Sequence, residues 1–200
     1  MKVELGKISS ITHGVVLNRV KPKGTEKEEQ FPVLTIKQLL LEEEGESMEE
    51  PVYMTAAASK RDNLRFAKEG TIVIGLTSFH QAAVLTKEHE GMVIPSNFLI
   101  LEFPGGIMDP YYFAWYFNEH PEMKELRRIA IQGDSKVKVL SIQVVRKLTI
   151  ECPNLVTQMS IGNLYCLQKE KERLWKEKLK LEMMVLTDRM KKLTKEEGSR

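Results

Sequence analysis

One short segment places a serine near a histidine, the two residue types that a covalent catalyst of the serine class needs. Ser78 and His80 lie in the run Gly75-Leu-Thr-Ser-Phe-His80. A nucleophile elbow has the form Gly-x-Ser-x-Gly, and a triad needs a base and a third group that orients it. The run contains no elbow, and two side chains two positions apart on a strand or turn do not form a triad. We therefore predict no nucleophilic catalysis at this segment.

The metal-ligating residue types show no pattern either. No two histidines stand at a metal-ligand spacing; they are His13, His80, His89 and His120. Cys152 and Cys166 are not in a Cys-x-x-Cys motif, so they predict neither a metal site nor a disulfide framework, which fits a reducing cytoplasm. The sequence also has no phosphate-binding loop, no dinucleotide fingerprint and no amino-methyltransferase signature. We predict a binding protein with no enzyme activity, no metal and no cofactor.

Charge is distributed unevenly along the chain. The net charge is only +2, but six glutamates fall within residues 42–50, and setting them aside leaves the rest of the chain at +8. This acidic segment either masks a basic surface elsewhere or is merely a solvated loop. No run reaches the roughly 18 apolar residues of a membrane span. The first residues also lack a signal peptide, so we expect a cytoplasmic protein without a membrane partner.

The first three quarters of the sequence read as a globular region rich in short strands. Apolar, β-branched runs predict strands at 70–75, 82–85, 93–95 and 98–103, separated by turn residues at intervals of about ten. This spacing favours a compact β-rich region over a doubly wound sheet. A strand followed by a turn of helix is expected within 31–41. Asp109 is a plausible N-cap, with Pro110 at the first helical position, and a second short helix is expected from Met123 to Ile131.

A single long helix is predicted from residue 155 to about 195, where helix-forming residues dominate and Gly162 is the only glycine. Leucines recur every seven residues, and two further apolar residues extend their ladder; the set is Leu164, Leu167, Leu174, Leu181 and Val185. Lys171 and Lys178 interrupt this heptad seam. A helix of this length spans about 60 Å, more than a small domain covers, so it must pack on another helix. The alternative is a solvated amphipathic tail.

Trp175 lies off this ladder. It indicates either a second buried face or an indole lying on its own helix. The resulting division of the chain is a globular domain over 1–152, the long helix over 153–195 and a tail over 196–200.

The order of these motifs resembles that of the target-recognition domain and following helix of specificity subunits from type I restriction–modification systems. The resemblance extends over residues 5–195. It rests on Leu5-Gly6 to Ile11-Thr-His-Gly14, Glu69-Gly70-Thr-Ile-Val, Ala82-Ala83-Val84 to Asn97, Asp109-Pro110-Tyr111-Tyr112 and Pro153-Asn-Leu155-Val-Thr-Gln158-Met-Ser-Ile161. Thr71 stands where the family usually has an acid, and the loop 132–138 lacks the usual glutamine after Ser135.

The resemblance implies an α+β fold: a β-rich target-recognition domain with short helices, followed by one long coiled-coil-type helix. It also implies a half-size, non-catalytic subunit, because full-length members carry two such domains and two such helices. A homodimer, paired through the leucine ladder, would read an interrupted and palindromic site on double-stranded DNA. The implied protein partners are the methyltransferase (modification) subunit and the restriction subunit.

Loops that alternate with the predicted strands supply the residue types that read DNA. Phosphate contacts need lysine and arginine, and base readout needs polar side chains projected into the major groove. The candidates are Arg19, Lys21, Lys60, Arg61, Thr77, Ser78, His80, Gln81, Asn97, Arg127, Arg128, Lys136 and Lys138. Among these, Lys60-Arg61 and Arg127-Arg128 are the preferred phosphate contacts, and Thr77, Ser78, Gln81 and Asn97 are the preferred base readers.

Two other functional classes stay open at this point. A coiled-coil adaptor, whose globular head binds protein and not DNA, is consistent with the acidic segment and the modest net charge. An enzyme without a recognisable motif would need a polar cluster in a cleft. The aromatic run from Phe113 to Phe117 could stack on bases, but its helical spacing favours core packing.

Overall fold

The computed structural model of the protein describes residues 2–44, 50–77, 80–131 and 140–197. The elements in chain order are β1 (Lys2–Glu4), α1 (Leu5–Ile8), β2 (Ser10–His13), α2 (Leu17–Val20), β3 (Glu28–Pro32), α3 (Ile36–Glu44), β4 (Tyr53–Ala57), β5 (Ile72–Gly75), β6 (Ala82–Val84), β7 (Phe98–Glu102), α4 (Pro110–Glu119), α5 (Pro121–Ile131), α6 (Ile142–Lys147), β8 (Thr149–Glu151) and α7 (Leu155–Glu197). Short 3₁₀ turns lie at Ala58–Asn63, Lys87–His89 and Pro104–Gly106. The α+β class predicted from the sequence, with a long helix after a β-rich region, is confirmed.

A four-stranded antiparallel sheet in the order β2-β7-β5-β6 forms the centre of the domain. Its two central strands, β5 and β7, are buried on both faces, because side chains alternate between faces along a strand and nearly all of theirs are buried. Ile72 and Ile74 of β5 face a core that includes the aromatic residues of α4, whereas Val73 faces a second core with Leu34 and Phe98. The run of consecutive apolar residues in β5 is therefore explained by this two-sided burial.

Two smaller antiparallel ribbons flank this sheet. The β3–β4 ribbon pairs Glu28 with Ala57 and covers a third core around Phe31 and Val93. The β1–β8 ribbon pairs Lys2 with Glu151 and so joins the first described residues to the segment that leads into α7.

The sequence placed several elements correctly and misplaced others. The strands at 70–75, 82–85 and 98–103 correspond to β5, β6 and β7. Residues 93–95, predicted as a strand, form only isolated bridges, because Val93 pairs with two different segments and Pro95 has no N–H to donate. Helix α6 was not predicted from the sequence; the Ser141 hydroxyl caps it by accepting a hydrogen bond from Val144 N at 3.3 Å.

Helix α4 begins at the predicted cap. Asp109 Oδ1 accepts a hydrogen bond from Tyr112 N at 2.8 Å, and Pro110 occupies the first turn. The aromatic side chains Phe113, Tyr116 and Phe117 are buried and Trp115 is half-buried against the same core, so their predicted role in core packing is confirmed. Helix α5 begins at Pro121, two residues before the predicted start.

Helix α7 packs on α4 through its first turns and then leaves the domain. Gln158, Gly162 and Tyr165 are buried on the face that meets the domain. Beyond Arg173, every side chain that the structure describes is exposed, over about 32 Å of helix at 1.5 Å per residue. No helix in the described part of the chain has an apolar stretch long enough to cross a membrane. The predicted division at residues 152 and 195 stays a prediction.

Candidate nucleic-acid interface

One end of the central sheet collects most of the loops in which the sequence placed DNA-reading residues. Because neighbouring strands are antiparallel, the last residues of β2 and β5 lie beside the first residues of β7 and β6: His13 pairs with Leu99, and Gly75 pairs with Phe98. We call this end the loop edge; it comprises residues 14–23, 58–66, 76–77, 80–81 and 95–97. These segments, far apart in the sequence, form one continuous surface.

Backbone hydrogen bonds tie the loop edge together. Ser96 N donates to Val15 O at 2.8 Å, and Leu76 N donates to Asn97 O at 2.9 Å. Lys60 Nζ donates to Lys21 O at 3.3 Å, which links the 3₁₀ turn at 58–63 to the segment after α2. The backbone segments that carry the polar side chains are therefore joined to one another by hydrogen bonds.

A groove of about 730 Å³ opens at the loop edge between the end of β2, α2, the 3₁₀ turn and the 95–97 turn. We call it the basic groove; it is lined by His13, Gly14, Val15, Val16, Arg19, Val20, Asn63, Arg65 and Ser96. Both arginines are exposed, and guanidinium groups suit phosphate oxygens and the acceptors of guanine. The sequence predicted Arg19 but missed Arg65 and Asn63, although both follow the predicted pair Lys60-Arg61 within four residues.

Arg61 is exposed but already has partners. Its Nη1 donates to Glu29 Oε2 at 3.1 Å, and its guanidinium lies 5.5 Å from the centre of the Phe31 ring. About 61% of its side chain remains accessible. Exposed ion pairs of this kind are worth about 0–1 kcal/mol, so a phosphate could replace the glutamate at little cost.

The predicted base readers lie on adjacent turns. Thr77, His80 and Gln81 are half-buried in the loop between β5 and β6, and Asn97 is half-buried in the next loop. Gln81 O accepts from Gly75 N at 3.1 Å, which closes the β5–β6 loop. Ser78, Lys136 and Lys138 lie outside the described residues.

The adjacent arginines of α5 have opposite environments. The Arg128 side chain is exposed and donates twice to Glu125, at 2.8 and 2.6 Å. The Arg127 guanidinium points into the domain, donating to His80 O at 2.6 Å and to Asn118 O at 2.9 Å. Burial lowers the pKa of this guanidinium, which the Glu119 carboxylate partly offsets. A phosphate would have to break both carbonyl contacts of Arg127, which makes Arg128 the better placed of the two for that role.

The residues predicted for dimerisation are all exposed and uncovered in this chain. Leu164, Leu167, Leu174, Leu181 and Val185 have 50–68% of their surface accessible. Lys178 Nζ lies 5.5 Å from the centre of the Trp175 ring, so this indole is covered by its own helix on one side.

Helix α7 also carries a second apolar stripe that the sequence reading missed. Its spacings of four, three, four and three residues form an uninterrupted heptad pattern; its members are Leu179, Met183, Leu186, Met190 and Leu193. At 100° per residue it lies roughly 120° around the helix from the leucine ladder. It could have been found by testing every heptad phase, not only the phase of the longest leucine repeat.

Two of the four histidines, His89 and His120, take structural positions. His89 is buried, and its Nδ1 lies 3.1 Å from the Thr86 hydroxyl at the start of a 3₁₀ turn. His120 stacks on Tyr116, with ring centres 4.2 Å apart. Within residues 2–44, 50–77, 80–131 and 140–197, no three His, Cys, Asp or Glu residues are grouped so that they could hold a metal ion.

Comparison with known proteins gives structural neighbours only. No protein-family model matches the sequence, and no curated protein matches it. The fold is similar to the crystal structure of the HsdS subunit from Thermoanaerobacter tengcongensis, with a TM-score of 0.55 and 14% identity over 90% of this chain. It is also similar to the S subunit of a type I restriction–modification system from M. genitalium, with a TM-score of 0.53 and 14% identity over 94% of this chain.

A third similar structure, from work on assembly and conformational transition of the type I R-M system, has a TM-score of 0.61 and 13% identity over 95% of this chain. The chain spans only 39–43% of the length of these three structures.

Proposed function

We propose that this chain is the DNA-reading, non-catalytic specificity subunit of a type I restriction–modification complex, in a form with one target-recognition domain. The observation that carries the proposal is the loop edge. Several loops with basic and amide side chains meet there on one hydrogen-bonded surface, in a domain from which a long helix projects. The likeness in fold to S subunits supports the same assignment.

The loop edge divides into phosphate-binding and base-reading parts in this proposal. Lys60, Arg61 and Lys21, with Arg19 and Arg65 of the basic groove, contact phosphates and fix the register on the duplex. Asn97, Gln81, Thr77 and His80 reach base edges in the major groove, where amides pair with adenine and hydroxyls with either base type. Arg128 and the sequence candidates Ser78, Lys136 and Lys138 are further proposed DNA contacts.

Self-pairing through α7 completes the proposed reader. A chain with one reading domain contacts one half-site, so a two-part palindromic site needs a second copy related by a twofold axis. The ladder from Leu164 to Val185 pairs with the same ladder of the second copy. The second stripe, from Leu179 to Leu193, then stays available for helices of the modification subunit, and the restriction subunit joins the assembled complex.

Enrichment from a randomised duplex pool tests this function directly. The purified chain is incubated with 40-base-pair duplexes carrying a randomised centre, and bound sequences are read after several rounds. We expect a two-part palindromic motif. A chain that enriches no motif and ignores duplex DNA at low salt would contradict the proposal and favour the adaptor.

The phosphate-binding part has its own matched comparison. In the Lys60→Ala/Arg65→Ala double variant, we expect weaker binding to the enriched duplex and a log–log salt slope shallower by about 1.8, from about 0.9 per phosphate. The double variant Lys68→Ala/Lys87→Ala removes the same charge from the opposite end of the sheet and should change neither quantity. Equal losses in both variants would mean that net charge, not the loop edge, drives binding.

The solution mass tests the self-pairing. By light scattering we expect a mass near twice 23.0 kDa for the chain alone. A stable monomer that still binds the enriched duplex would remove the homodimer from the proposal and leave the DNA-reading role.

A further inference from the structure

Two side chains beneath the loop edge hold the end of the β5–β6 loop. Arg127 Nη1 donates to His80 O at 2.6 Å. Asn118 holds the next residues: its Nδ2 donates to Ala82 O at 2.8 Å, and its Oδ1 accepts from Ala82 N at 2.9 Å. Asn118 is 3% exposed, so these bonds are shielded from water. Side chains of α4 and α5 therefore fix the backbone path by which the loop enters β6.

Arg127 bridges this loop to α4 with both arms of its guanidinium. Its Nη2 donates to Asn118 O at 2.9 Å, and the plane lies 4.9 Å from the centre of the Phe117 ring. A planar fork can bond two carbonyl oxygens and stack on an aromatic ring at once. A lysine ammonium has no such plane, so lysine would keep the charge but lose the bridge.

The carbonyl that Arg127 holds belongs to a residue with an unusual backbone. His80 has φ near +30°, and it is the only non-glycine residue with positive φ among the described ranges. Such a conformation is uncommon outside glycine and persists where the surroundings impose it. The Arg127 bond acts directly at this residue, which follows Thr77 in the loop and immediately precedes Gln81 and the start of β6.

We propose that Arg127, together with Asn118, is a positioning residue for sequence discrimination: it fixes the conformation in which the β5–β6 loop presents Thr77 and Gln81, and it does not itself contact DNA. This inference rests on the proposed function, because it assigns the loop to base reading. It replaces the phosphate-contact role that the sequence suggested for Arg127. We call the hydrogen bonds from Arg127 and Asn118 to this loop the clamp. Without the clamp the loop becomes more mobile, and the difference in affinity between matched and mismatched duplexes shrinks. The phosphate contacts of the basic groove persist.

Three variants separate the two roles of Arg127. Arg127→Ala removes bridge and charge, Arg127→Lys keeps the charge without the bridge, and Lys124→Ala removes an exposed charge three residues earlier on the same helix. Discrimination is measured as the affinity for the duplex enriched by the wild type divided by that for its single-substitution variants. The salt slope of binding to the enriched duplex is measured in parallel.

We expect Arg127→Ala and Arg127→Lys to lower discrimination at least tenfold at a contiguous subset of positions, with the salt slope unchanged. Lys124→Ala should leave discrimination intact. A direct phosphate contact gives the opposite result: in Arg127→Ala the slope becomes shallower by about 0.9 and discrimination is retained. That outcome would overturn the inference, as would full discrimination in Arg127→Lys. If Arg127→Ala does not fold, Arg127→Lys alone decides between the two roles.

Hydrogen exchange of the free protein provides a readout that does not depend on DNA. We expect backbone amides of the 76–82 segment to exchange at least tenfold faster in both Arg127 variants, with the β3–β4 ribbon unchanged. Unchanged exchange in 76–82 would refute the clamp even if DNA binding were affected. If the wild type enriches no motif, the proposed function fails and the inference fails with it, whereas a wild-type motif that both variants reproduce in full refutes the inference alone.

Discussion

The packing of α7 on α4 depends on the absence of a side chain at Gly162. A Cβ built at this position would overlap Asp109 Oδ1, and it would lie 3.1 Å from Tyr112 N and 3.2 Å from the Cβ of Tyr111. Asp109 Oδ1 is the cap of α4, bonded to Tyr112 N. An alanine at 162 must therefore both displace the cap and overpack the contact between the two helices.

The magnitude follows from three effects of Gly162→Ala. Loss of the cap costs about 1 kcal/mol, and overpacking of a tight contact costs about 1–3 kcal/mol. Alanine in place of glycine favours the helix by about 1 kcal/mol. We therefore expect the free energy of unfolding to fall by about 1–3 kcal/mol, even though alanine is the better helix former.

Urea unfolding followed by circular dichroism, at one fixed chain concentration, measures this change. Asn163→Ala is the matched control, because residue 163 is exposed and the substitution should leave stability equal or slightly raised. A double-mutant cycle with Asp109→Ala should be non-additive, since removing the carboxylate removes both the cap and most of the clash. Two results would refute the close approach of α7 to the α4 cap. One is that the Gly162→Ala variant is as stable as the Asn163→Ala variant. The other is that the free-energy changes in the cycle are additive.

Three further changes test other parts of the fold. Gly14→Ala places a Cβ against the backbone oxygens of 94–95, so we expect the free energy of unfolding to fall by about 1–3 kcal/mol. Thermal unfolding measures this change, and an unchanged Tm would contradict that contact. Lys2 donates to Glu122 at 2.7 Å and holds the carboxyl pKa below its ordinary 4.5, so the pair stabilises above that pH and loses its effect as pH falls through the lowered pKa. In Glu122→Gln the fall in Tm at acidic pH should accordingly be shallower. If Tm falls equally with pH in the variant and the wild type, the pair does not contribute to stability. In light scattering, Leu181→Asp should give the monomer mass, whereas Leu186→Asp should not; the reverse result would assign self-pairing to the second stripe.

Local signals in the sequence were enough to predict several elements. The β-branched run between Gly70 and Gly75, the Asp109-Pro110 start of α4 and the helix-forming composition after 155 each determine structure within a few neighbouring residues. Their outcome depends little on the rest of the chain, which is why they could be predicted without it.

The candidate site was less predictable because tertiary contacts define it. Arg127 and Arg128 are adjacent and identical in type, yet one faces the β5–β6 loop and the other faces solvent, a difference set by the rotation of α5 on the domain. Arg65 joins Arg19 in the basic groove only because residue 65 bonds to residue 94, which a linear pattern does not reveal. Polar composition identified the loops, and the fold decided which of their side chains meet.

The two stripes of α7 would give different spacings between the reading domains of the proposed homodimer. In an antiparallel pairing, the two helices are centred on the stripe that pairs. The position of that stripe along α7 therefore sets the distance from each domain to the centre of the pair. The centres of the two stripes, near Leu174 and Leu186, are twelve residues or about 18 Å apart along the helix. Exchanging one stripe for the other would therefore change the separation of the domains by about 36 Å, close to one turn of DNA. The helix rise converts the choice of stripe into a difference of roughly ten base pairs between half-sites, so the gap in the enriched motif reports which stripe pairs.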